Sequence, residues 1–113
     1  MKRFVYILGS KWKIEEKSAA EEKRFENCDG FCDWTERRIV VQRETEGNLG
    51  DMERYIRKVM RHEIIHAFLF ECGLAWNTAD GEPWAQNEEM VDWLAYIGPR
   101  IYAAWEQAGA LDE

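Results

Sequence analysis

His62 and His66 are the only two histidines among 113 residues, and Glu63 directly follows the first. The run His62-Glu63-Ile64-Ile65-His66 matches the pattern H-E-x-x-H. Residues four apart lie one above the other on a helix face, so both imidazoles can reach one ion. Glu63 is turned about 100° from His62, which lets it face a water held by that ion without ligating the ion itself. A zinc ion in such a site lowers the pKa of its water towards 7, and a neighbouring carboxylate can then take the proton. Shuffling this composition produces the pattern in roughly 1 of 400 arrangements, so coincidence is a weak explanation. The surroundings argue the same way. Ile64, Ile65, Ala67, Phe68, Leu69 and Phe70 make the segment apolar on nearly every side, and buried histidines need partners.

Two histidines leave a tetrahedral site incomplete, because a catalytic zinc has three protein ligands and an open fourth position. Cys72 lies 600° round the helix from His66 and points elsewhere. The better source is Asn87-Glu88-Glu89-Met90-Val91-Asp92. Glu88 falls in register with Val91, Ala95, Gly98, Ile101 and Trp105, an apolar stripe expected to face the core. Glu89 aligns with the more mixed face of Trp93, Tyr96 and Arg100. An acid heading a buried stripe wants a cation, so Glu88 is the expected third ligand and Glu89 the alternative. Acids also favour a first helical turn for its dipole alone. Asp92, four residues on, is placed to accept the second N–H of His62 and fix that ring. An ordinary surface acid describes Asp92 equally well.

These residues need elements to hold them. Residues 3–8 and about 12–15 are rich in β-formers, with Gly9-Ser10 as a turn or bulge. Residues 17–26 suggest a short exposed helix. A second β region is expected from Gly30 to Trp34 and from Arg37 to Gln42, and a loop from Glu44 to Gly50. Met52, Ile56, Val59, Glu63, His66 and Phe70 then recur at helical spacing from about Asp51 to Cys72, where Gly73 supplies a stop. Residues 75–86 read as a loop. A second helix is expected from about Asn87 to Gln107, bent or interrupted by Pro99. The expected fold class is α+β: a small N-terminal β-sheet packed against the His62–His66 helix and a second, C-terminal helix, in a single domain spanning 1–113.

Composition narrows the function classes. The formal net charge is −7, which disfavours binding to phosphate backbones, so no nucleic-acid partner is expected. Arg57, Lys58 and Arg61 lie among acids and suggest a solvated helix face. No run of about 18 apolar residues offers a membrane span. The apolar stretch after Met1-Lys2-Arg3 is too short for a signal peptide, which suggests a cytoplasmic protein. Three cysteines, Cys28, Cys32 and Cys72, fit free thiols in a reducing compartment better than half of a structural zinc site. Six tryptophans in so short a chain are expected mainly to fill the core.

The order His-Glu-x-x-His, then glutamate on the next helix, is similar to that of the gluzincins. Asn87-Glu88-x-x-x-Asp92 resembles the second motif of thermolysin-like enzymes, and Glu88 with Val91, Leu94 and Ala95 resembles the ImmA/IrrE family of small metallopeptidases. The stretch from Arg61 to Ala95 resembles short zincin domains carried by phages and mobile elements of Gram-positive bacteria. The resemblance covers about the last half of the chain. It implies a minimal zincin-like fold, one Zn²⁺, His62, His66 and Glu88 as ligands, Glu63 as general base, and a peptide or protein substrate. An extended substrate is expected to pair with an edge strand, either Arg37–Gln42 or the strand through Cys32–Trp34, with Trp76 and Trp84 as candidates for the cleft border. Two departures stand out: no helix-turn-helix segment is present, and no further histidine can stabilise an oxyanion. Tyr55, Tyr96 and Tyr102 are the remaining donors, and spacing selects none of them. A non-catalytic zinc-binding scaffold that docks a phage or host protein is the competing reading, and retention of Glu63 argues against it.

Overall fold

The computed structural model describes residues 3–43, 50–76 and 83–111. The expected loop at 44–50 falls outside them except for Gly50, and the described ends of the expected loop at 75–86 form 3-10 turns, Leu74–Trp76 and Trp84–Gln86. The architecture is α+β: a four-stranded mixed sheet and two helices of 20 residues each.

The chain opens with a hairpin of β1 (Phe4–Ile7) and β2 (Ser10–Lys17). Its two-residue loop is Leu8-Gly9, one position earlier than expected, and both residues have positive φ (49° and 87°). That is the combination a tight hairpin with right-twisted strands requires. β2 is longer than its β-rich centre suggested. The helix expected at 17–26 is reduced to a 3-10 turn at Lys23–Glu26, which buries Phe25. Its charged residues are instead drawn into pairs such as Arg38–Glu22 and Arg43–Glu21.

β3 (Gly30–Asp33) and β4 (Arg38–Gln42) follow as an antiparallel pair, and β4 then inserts beside β2 in parallel, giving the order β1-β2-β4-β3. This order has a functional consequence. The segment Arg37–Gln42, expected as a possible edge, is internal, and of the two expected candidates only the strand through Cys32, β3, lies at an edge, with β1 at the other.

α1 (Met52–Glu71) lies against one face of the sheet, opened by Asp51, whose side chain accepts from Arg54 N at 3.0 Å. Gly73, at φ 84°, takes the left-handed conformation at its end. Ile7, Trp12, Ile39 and Val41 from the sheet meet Val59, Met60 and Ala67 from α1 in the main core. Trp12 Nε1 donates to Glu71 Oε1 at 2.8 Å and ties β2 to the end of α1. Trp12 is buried, but the other five tryptophans are 47–59% exposed, so the expectation that tryptophan fills the core is wrong for all but one. With Ile, Val, Met and Ala supplying most of the buried positions, this interior has little room for indoles.

α2 (Glu88–Gln107) packs on α1 and runs antiparallel to it, and Asn87 Oδ1 caps it by accepting from Met90 N at 2.8 Å. The helix is continuous through Pro99 rather than interrupted. Proline removes the N–H that would bond the carbonyl four residues back. That carbonyl belongs to Ala95, and Arg61 Nε donates to it at 2.7 Å. Arg61 is therefore a helix-to-helix tie, not part of a solvated face. The expected apolar stripe holds for Val91 and Ala95, which are fully buried, and fails at both ends, at Trp105, which is half exposed, and at Glu88, which was expected to head a buried stripe and is exposed. No described helix is long and apolar enough to cross a membrane.

Candidate metal centre

The core contacts of α1 leave one stripe of the helix for His62 and His66, whose side chains are only 13% and 10% exposed. The two Nε2 atoms face each other at 3.2 Å. Glu88, in the first turn of α2, reaches over both rings: Oε2 lies 3.3 Å from His62 Nε2 and Oε1 lies 2.6 Å from His66 Nε2. One ligand atom from each of the three residues lies within 4.8 Å of the others. Among the described residues no other three His, Cys, Asp or Glu side chains converge in this way. Glu89 is exposed, about 100° round the helix and outside the cluster.

Zinc–nitrogen and zinc–oxygen bonds of about 2.0–2.1 Å place tetrahedral ligand atoms about 3.3 Å apart. The His62–His66 and His62–Glu88 spacings of 3.2 and 3.3 Å match that edge length, whereas His66 and Glu88, at 2.6 Å, stand at direct hydrogen-bond distance and would move apart to hold an ion. The donor set, two imidazoles and one carboxylate with space beside them, fits a borderline-soft divalent ion with an open position.

Tautomers follow from the outer contacts. Asp92 Oδ1 accepts from His62 Nδ1 at 3.0 Å, which turns the lone pair of Nε2 towards the cluster. The same oxygen accepts from Lys58 Nζ at 2.9 Å. Asp92 is thus held ionised, its pKa lowered first by the Lys58 bond and then by His62. Burial pushes the His66 pKa down, against the upward pull of Glu88, and so favours the neutral ring that a ligand needs.

No family model, curated protein or solved structure matches this chain. Function must therefore be argued from the site itself.

Glu63 sits under the edge strand, 6% exposed, with its pKa pushed up to about 8 by burial and then by the Glu88 charge. Gly30 makes the close approach possible. A Cβ there would stand 2.7 Å from Val59 Cγ1 and 3.4 Å from Glu63 Cγ, so any larger residue would push β3 off α1. Gly30 reads in the sequence as a strand start, although glycine inside a strand also signals close backbone approach. Gln42 N donates to Asp29 O at 2.8 Å, which makes Asp29–Gln42 a bonded pair of the β3–β4 ladder. Antiparallel pairs alternate, so the N–H and C=O groups of Gly30 and Cys32 point away from β4, along the free edge beside the cluster.

The cleft has two recesses on either side of the cluster. One, of 170 Å³, adds Asp29, Tyr55, Lys58 and Asp92 to His62, Glu63 and Glu88. The other, of 320 Å³, adds Cys32, Phe70 and Gln86 to Glu63, His66 and Glu88. Of the three tyrosines considered as donors, Tyr55 alone lines either of these, and its hydroxyl donates to Asp29 Oδ2. Tyr96 borders a different recess with Arg54 and Arg100. Cys72 is exposed and outside the cluster. Cys32 faces the cleft as a neutral thiol, pushed up to about 12 by burial and the Glu63 and Asp33 charges. Trp76 packs edge-on to Trp34 at 4.9 Å and lies 5.5 Å from Phe70, which places it beside the larger recess. Trp84 is exposed and has no such ring neighbour among the described residues.

Proposed function

We propose that this protein is a zinc-dependent peptidase of zincin-like design. The observation that carries the reading is the convergence of His62, His66 and Glu88 within 4.8 Å, beside the buried Glu63. An H-E-x-x-H helix under a sheet whose edge strand is antiparallel to its neighbour, with the third ligand on the next helix, supports the gluzincin and ImmA/IrrE resemblance.

His62, His66 and Glu88 would hold the ion, which when bound acts as a Lewis acid towards water and a carbonyl oxygen. Glu63 takes the proton of the attacking water and hands it to the leaving amine, which is general acid–base catalysis by one carboxylate. Asp92 keeps the His62 ring oriented, and Lys58 keeps Asp92 ionised. The outward groups of Gly30 and Cys32 hold the substrate backbone by strand addition.

One observation favours a non-catalytic scaffold. Of the nearby cleft donors, Tyr55 commits its single O–H to Asp29 and Lys58 pairs its charge with Asp92, so neither stands uncommitted as an oxyanion donor. One experiment separates the two readings. Zinc-loaded protein and its Glu63→Gln variant are assayed for metal content and for hydrolysis of a mixed peptide library. The peptidase reading expects about one zinc per chain in both, with hydrolysis in the wild type alone. Equal inactivity with full zinc leaves the scaffold. Less than about a tenth of an equivalent of zinc, even after zinc is supplied, removes both readings.

A further inference from the structure

The two recesses differ in chemistry, and the edge strand gives them an order. β3 runs from Gly30, packed on Val59 and Glu63, to Asp33, and Trp34 next to it stacks on Phe70 at 6.0 Å. It therefore passes the polar recess first and the apolar recess second. Beyond the groups of the metal centre, the apolar recess is walled by Cys32 and Phe70, and its Gln86 amide is already engaged with Ala75 O at 2.8 Å. Phe70 continues into the half-exposed Trp34 and Trp76. Beyond the same groups, the polar recess presents the Tyr55–Asp29 and Lys58–Asp92 pairs.

Antiparallel strand addition is the more stable mode per residue. A peptide added that way runs opposite to β3, so its N-terminal part lies at the Trp34 and Phe70 end. Residues opposite Gly30 and Cys32 are two apart, and both turn their side chains towards α1, as Cys32 does and as a Cβ at Gly30 would. The first enters the apolar recess and the second the polar one.

Resting on the peptidase reading, we infer that the substrate carries the triplet apolar–any–polar, read from N to C, and that the scissile bond lies within it. The apolar member is a large aliphatic or aromatic residue that fills the space between Cys32 and Phe70. The polar member bonds to the Tyr55–Asp29 and Lys58–Asp92 pairs.

The test uses the full chain loaded with zinc. Cleavage sites in a random peptide library are mapped by mass spectrometry. Large apolar residues should be enriched one or two positions before the cut, with polar residues one or two positions after it. In parallel, Glu63→Gln protein is titrated with a labelled peptide bearing Leu-Ala-Ser and with one bearing Ser-Ala-Leu, the first binding about tenfold more tightly. Trp76→Ala, at an exposed position, should reduce that preference without unfolding the chain. Cleavage with apolar residues after the cut, or with no preference, overturns the inference and leaves the peptidase reading intact. No cleavage, with the expected binding preference retained, sinks the peptidase reading and keeps the order of the recesses. Absence of both cleavage and preferential binding sinks the two together.

Discussion

The two helices supply the candidate centre in opposite ways. On α1, His62, Glu63 and His66 are held by the core: Val59, Met60 and Ala67 pack under the sheet, and the ligands follow from the helical repeat. On α2, Glu88 is 73% exposed and Asp92 half exposed, and both are placed by contacts that cross between the helices. Lys58 meets Asp92, and Arg61 meets the carbonyl of Ala95. Substitution of Glu63 on α1 should therefore appear as a change in proton balance and chemistry. Damage to the α2 half should appear as looser metal binding.

The largest effect is expected from Glu63. Its folded pKa of about 8 stands above the ordinary 4.5, so the folded metal-free chain holds a proton that the unfolded chain releases. Stability of metal-free protein should accordingly fall as pH rises from about 4.5 to about 8, because over that window the unfolded state gains the ionised form that burial denies the fold. Glu63→Gln should flatten the curve in chemical denaturation at several pH values. An unchanged slope in the variant would remove Glu63 as its source. A zinc cation beside the carboxylate should also flatten it, since the cation favours the ionised form.

The α2 half comes next. Glu88→Gln removes an anionic donor and should weaken zinc binding strongly in a competitive titration. Glu89→Gln removes only a charge near the helix N-terminus, worth about 0.3–1 kcal/mol. A larger loss from Glu89→Gln would shift the helix register by one residue. Asp92→Asn should cost about 10–100-fold in zinc affinity, because the amide no longer holds the His62 ring and tautomer as a carboxylate does. Hydrolysis per bound zinc should change less than affinity. If Asp92→Asn is silent in both, its partner in the fold is Lys58 alone.

What was legible in the sequence follows the same division. Local periodicity carried His62, Glu63 and His66 onto one helix and brought Glu88 and Asp92 onto one face of the next. Long-range topology was not legible. Nothing local says that β4 inserts between β2 and β3, so which strand forms the edge was left open between two segments. The run at 17–26 has helical composition, yet β2 extends through Lys17 and the remainder makes only a 3-10 turn, a tertiary override of propensity. Tryptophan burial does not follow from composition, because large aromatics serve surfaces as well as cores. One local signal does reach beyond its own element. A proline inside a helix leaves a carbonyl in need of a donor, and that points to Arg61.

That contact has the smallest expected effect on the metal centre and gives the sharpest test of how α2 is registered. Ala95 is fully buried, and Pro99 denies its carbonyl the usual helical N–H. Arg61 Nε, at 2.7 Å, supplies the replacement. Arg61→Met keeps much of the aliphatic stem but leaves the carbonyl unpaired, at a cost of about 1–3 kcal/mol. Pro99→Ala restores the N–H to the helix, so the carbonyl no longer depends on the guanidinium. In that background Arg61→Met should cost much less, and the double-mutant cycle measured by denaturant unfolding should show the difference as a coupling energy. Zinc affinity should track the same cycle weakly, because a slipped α2 moves Glu88 away from His62 and His66. If the two substitutions add without coupling, Arg61 contributes through its charge or its stem alone, and the Lys58–Asp92 pair is left as the cross-helix polar tie that sets the register.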